Sequence, residues 1–122
     1  NSQAVQYLYG DGSTFYFMNQ ETFNQFEVSA DLVGDGAGYL KESDIVQLQF
    51  FNDVPINVEL AKNVPLLVTY TENVVKGDTT SSIQKDATLE TGITIKVPAF
   101  IKQGDVISVD TGNGTYRERV KD

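Results

Sequence analysis

KDATLETGITIKVPAFIKQG, residues 85–104, packs a strand, a turn and a second strand into one short stretch. The first strand runs up to Glu90, Thr91-Gly92 turns the chain, and the second spans Ile93 to Val97. Ile93, Ile95 and Val97 alternate with Thr94 and Lys96, the period of two expected of a sheet with one buried face. Pro98 has no N–H to donate and should end the ladder. Phe100-Ile101 forms an apolar corner, and Gly104-Asp105 opens the next strand.

Upstream, the same grammar repeats. Asn1–Ala4 is polar and reads as loose, and Val5–Tyr9 is an aromatic-rich strand. Gly10-Asp11-Gly12 turns it back, because glycine takes the positive φ that tight turns need. Thr14–Met18 and Phe23–Val28 complete a three-stranded meander. Ser29 is placed to cap a short helix ending near Val33, with Asp31 near its N-terminus. Ile45–Phe51 follows, then a turn at Asn52-Asp53, and then a strand with Ile56, Val58 and Leu60 on one face. A second set begins at Leu66–Val74. It continues through the polar loop Lys76–Gln84 and the opening stretch to Val106–Asp110 and Thr115–Val120.

The segment Tyr39–Val46 aligns with Phe100–Ile107, every pair identical or similar except Ser43/Gly104. The offset of 61 is half of the 122 residues. Such a repeat divides the chain into residues 1–62 and 63–122, with roughly five strands each. Five antiparallel strands with a small corner between the third and fourth describe an OB-fold, a partly open Greek-key barrel. The expected fold class is therefore all-β, two consecutive five-stranded OB-fold barrels. One ten-stranded sandwich is the competing architecture.

Composition bounds the chemistry. With 40% hydrophobic residues the chain can build a packed core. It has no cysteine for disulfides or thiolate metal sites, and no histidine for general-base or metal chemistry. Neither a transmembrane run nor a signal peptide is expected, and a cytoplasmic setting fits. The net charge of −8 argues at first against nucleic acid. However, seven of the nine Lys/Arg lie in residues 63–122, so any phosphate contact belongs there.

The order Lys85, Ala87, Gly92, Ile95, Val97-Pro98, Ile101 and Gly104 resembles the signature of the bacterial translation elongation factor P family. Tyr7 to Val28 resembles the start of that family's middle domain, and the likeness covers nearly the whole chain. No stretch matches the SH3-like first domain with which members begin. The resemblance implies no enzymatic activity of the chain's own and no cofactor or metal. It implies a monomer that docks near the P and E sites of the ribosome, against P-site tRNA and small-subunit RNA, in a factor that helps stalled ribosomes join prolines.

Two motifs would carry the contacts. Lys76-Gly77-Asp78-Thr79 resembles the start of a family loop that approaches RNA, with Lys85 at its far end. This chain departs from the glycine-rich pattern after Thr79. Gly114-x-Tyr116-x-x-Arg119 matches the family's closing pattern, and strand alternation would put Arg117 and Arg119 on one face. The plain readings are a surface loop and a salt-bridged edge strand.

Other patterns carry less. Gly34-x-Gly36-x-Gly38 lacks the lysine and βαβ setting of a nucleotide loop. Asn113-Gly114 reads as a hairpin turn. The carboxylates Asp11, Asp35, Asp44 and Asp53 sit at turns with no activating neighbour. The phenylalanines near the N-terminus read as core, and Tyr9 and Tyr16 stay open between core and base-stacking surface. A stand-alone single-stranded nucleic-acid binder is the alternative function. It calls for a basic groove, which a net charge of −8 poorly supplies.

Overall fold

The structure, a computed structural model, describes residues 1–73 and 84–120. The chain separates into two units, Asn1–Ala61 and Lys62–Asp122. The first holds β1 (Ser2–Gly10), β2 (Thr14–Met18), β3 (Gln25–Ser29), α1 (Ala30–Val33), β4 (Ile45–Phe51) and β5 (Val54–Glu59). The second holds β6 (Asn63–Thr71), β7 (Gln84–Leu89), β8 (Thr94–Pro98), β9 (Val106–Asp110) and β10 (Thr115–Arg119). The sheets run β3-β2-β1-β4-β5 and β10-β9-β6-β7-β8, the same order once each unit's strands are counted from its own start. This is the Greek-key order of an OB-fold, and the chain is two OB-fold units in series.

The repeat holds at the level of single hydrogen-bonded partners. Ser2 faces Gln49 and Val5 faces Val46; 61 residues on, Asn63 faces Asp110 and Leu66 faces Ile107. The register of β1 on β2 slips between Tyr7 and Tyr9, and that of β6 on β7 slips between Val68 and Tyr70, the equivalent place. Such a bulge bends the strand so that it can serve two neighbours of a curling sheet. Val5, Tyr7, Phe17, Val28, Val46 and Leu48 form the centre of the first core. Leu66, Val68, Leu89, Val97, Ile101 and Ile107 are buried in the second unit.

Corner residues lock each barrel. Ser29 Oγ accepts from Leu32 N at 3.3 Å and caps α1. Gly34–Tyr39 then winds into a 3-10 segment. Gly36 lies close against Leu60 there: a Cβ would come within 2.8 Å of Leu60 Cδ1, and the leucine tip would have to shift to admit it. In both units an aspartate carboxylate closes the corner: Lys41 N donates to Asp44 Oδ2 and Lys102 N to Asp105 Oδ2, each at 2.9 Å. The one mismatched pair of the repeat is explained here. Ser43 and Gly104 both have positive φ, 79° and 97°.

Several expectations need correction. Ser2–Ala4 is not loose: it pairs with Gln49, Leu48 and Gln47, because a ladder uses backbone groups and is indifferent to polar side chains. The third strand starts at Gln25. Phe23 sits in the preceding turn with φ 62° and is 70% exposed, an exception to the reading of the phenylalanines as core. Ile56 is exposed instead of sharing an inner face with Val58. A register shift sets Phe50 opposite Pro55 and Gln49 opposite Asn57, which leaves Ile56 as the extra residue. Pro98, by contrast, ends the ladder as expected, as its last member opposite Gln84.

Gly104→Ala should cost the second unit about 1–2 kcal/mol, the strain of an L-residue at this φ. Urea unfolding monitored by NMR checks this, with resonances of the first unit expected to keep their midpoint.

Candidate nucleic-acid interface

Cationic side chains of the second unit lie on its outer surface. Lys85 opens β7, is half-buried, and its Nζ donates to the carbonyl of Glu72 at 2.6 Å. Lys96 on β8 pairs with Asp86 at 2.8 Å, both side chains being largely exposed. Exposed ion pairs of this kind contribute little stability. Tyr70, Glu72, Lys85, Asp86, Thr88, Thr94 and Lys96 line a shallow depression beside β6, β7 and β8. Thr88 and Thr94 join their hydroxyls there at 3.3 Å.

The closing strand carries Tyr116, Arg117 and Arg119. Tyr116 is half-buried, and burial raises its phenol above the usual range, opposed by the Arg119 backbone N–H and guanidinium. Arg117 and Arg119 are exposed, and among the described residues neither takes an ion pair. The simple alternation expected of them does not hold. Tyr116 faces Val109 and Glu118 faces Ser108, so Arg117 is the extra residue of a bulge, while Arg119 faces Ile107. A bulge re-aims the side chain it carries. β7 and β10 lie on different parts of the sheet, and no hydrogen bond among the described residues joins Lys85 to the arginines. Lys76, Gly77, Asp78 and Thr79 lie outside the described residues.

Sequence reasoning left Tyr9 and Tyr16 open, and the structure pairs them. Their rings stack at 4.6 Å and 24° on the outer face of the first unit. Asp11 holds the adjoining turn: Oδ1 accepts from Thr14 N at 2.8 Å and Ser13 N at 3.1 Å, and Oδ2 accepts from the Tyr16 hydroxyl at 3.3 Å. These donors, the Thr14 N–H first, hold the Asp11 carboxyl below its ordinary value of 3.8. Among the described residues no group of His, Cys, Asp or Glu is arranged to hold a metal ion. No described helix is long and apolar enough to cross a membrane.

Two family models match the chain in tandem. Residues 1–58 match the elongation factor P OB domain, and residues 64–119 match the elongation factor P C-terminal domain. The chain belongs to the elongation factor P family. It is 47% identical over 118 residues to elongation factor P of Clostridium botulinum strain Hall, and 48% identical to that of strain Eklund 17B. Each alignment covers 97% of this chain and 64% of the relative, so the chain spans a little under two thirds of the curated relatives it matches.

Because its folded-state carboxyl is depressed, Asp11 stabilises its turn fully above pH 3.8 and loses that contribution as pH falls through the lower folded value. The stability gap between the wild-type chain and Asp11→Asn should therefore be constant at neutral pH and narrow in acid. Thermal unfolding from about pH 7 to about pH 2 measures it.

Proposed function

We propose that this chain is the docking portion of a translation elongation factor P, with residues 1–62 as its middle domain and residues 63–122 as its last. In this reading the factor works in the cytoplasm as a monomer, at the P/E region of the ribosome. The middle domain lies beside the P-site tRNA and the last on small-subunit RNA. Stimulation of peptide bonds on proline-stalled ribosomes then depends on the part of the relatives that this chain does not match.

One observation carries the RNA assignment: the cations are concentrated in the second unit. Lys62–Asp122 balances eight Lys/Arg against eight Asp/Glu, whereas Asn1–Ala61 sets Lys41 alone against nine acids. Phosphate contact is electrostatic and needs unpaired bases. Among the described residues Arg117 and Arg119 take no ion pair, and a guanidinium offers phosphate a two-pronged donor. Lys76, Gly77, Asp78, Thr79 and Lys85 supply the second candidate contact, with Tyr116 as a half-buried support for β10.

Arg117→Ala with Arg119→Ala should weaken binding of the chain to ribosomes carrying P-site tRNA and leave the melting temperature unchanged. The salt dependence of log Kd should flatten by roughly one unit or less for each phosphate no longer neutralised. Unchanged affinity and slope would reduce the pair to a solubility device. A lowered melting temperature would mark it as structural. Equally tight binding to free single-stranded RNA would favour the stand-alone nucleic-acid reading.

A further inference from the structure

Because the two units share one register, their outer faces can be compared residue by residue. In the first unit Tyr9 faces Tyr16 and Tyr16 faces Glu27, a row across β1, β2 and β3. In the second unit the equivalent row is Tyr70, Thr88, Thr94. Both rows begin just past the bulge, and both leading tyrosines are more than half exposed, Tyr9 at 54% and Tyr70 at 57%. The surroundings differ. Beside Tyr70 stand Lys85 and Lys96 together with Glu72 and Asp86, a balanced set in which Lys96 is paired to Asp86. Beside Tyr9 stand a second aromatic ring and the carboxylates of Asp11 and Glu27, in a unit of net charge −8.

We propose that the Tyr9–Tyr16 stack is a recognition platform for an arginine side chain of a basic protein segment. An aromatic face attracts a cation through its quadrupole, and guanidinium also stacks flat on the ring. Tyr16 covers one face of Tyr9, and the exposed remainder is where the planar cation lies. Asp11 and Glu27 both act on the Tyr16 phenol, which places their charge at this spot and not merely elsewhere on the unit. Asp11 stays ionised at neutral pH, its charge fixed in place by the turn N–H groups. The same field repels phosphate, so RNA is the wrong partner for this face even though it carries stacking rings. On this face the first unit therefore takes a basic protein segment, and any approach to tRNA in the docking reading falls on another part of its surface.

Charge complementarity singles out the occupant, and a hexa-arginine peptide serves as the probe, titrated into the isolated chain at low salt and followed by NMR. The largest shifts should fall on Tyr9, Tyr16 and Glu27. Tyr9→Leu should weaken binding about fivefold, and Tyr9→Phe should retain it, because phenylalanine keeps the ring face. Glu27→Gln should weaken it more than Glu59→Gln, which removes the same charge from β5. Hexa-lysine should bind more weakly than hexa-arginine. The proposal is overturned if Tyr9→Leu binds as the wild type does, if shifts spread evenly over all carboxylates, or if a uridine oligomer shifts Tyr9 and Tyr16 instead. No ribosome is present in this titration, so its result is independent of the docking role proposed for the second unit.

Discussion

In each barrel one residue of the first strand is clasped from the corner before the fourth. Tyr7 N donates to the Asp44 carbonyl at 2.8 Å, and the Tyr7 carbonyl accepts from Ser43 N at 2.9 Å. Val68 makes the same two bonds with Asp105 and Gly104. The pair pins β1 on β4 and β6 on β9, and register follows because a one-residue slip would turn every core side chain outward. The aspartate at the corner fixes the carbonyl it presents by closing its own turn. Residue 43 or 104 must take a positive φ for the turn to meet the strand. Glycine does so at little cost, and serine bears some strain.

That clasp also sets what the surface offers. With residue 7 or 68 held inward, the bulge that follows sends residue 9 or 70 outside, whatever its hydrophobicity. Tyrosine suits the position because its ring packs on a neighbour while its hydroxyl stays wet. The scaffold thus presents an aromatic at one spot twice. The flanking charges then decide what each spot can hold. The first unit sets Lys41 alone against nine acids, whereas the second balances its acids one for one and, among the described residues, holds Arg117 and Arg119 outside any ion pair.

The sequence by itself determined the class, the division and the kinship. Alternation in Ile93–Val97, turn residues at short spacing and the 61-residue offset are local or periodic signals, and each survives without knowledge of what lies across the sheet. The corner aspartates and the capping Ser29 were legible for the same reason, since their partners sit within three residues. Only the tertiary structure decided which side chains leave the core and which meet on the surface. Ile56, Arg117 and Tyr9 each sit at or just beyond a bulge, and a bulge shifts the alternation by one residue without any mark in composition. Tyr9 meets Tyr16 because of a cross-strand register set by the clasp at Tyr7, not by sequence spacing. Ser2–Ala4 joins its strand because β4 lies beside it. A strand is completed by its neighbour, and the neighbour is placed only when the barrel closes.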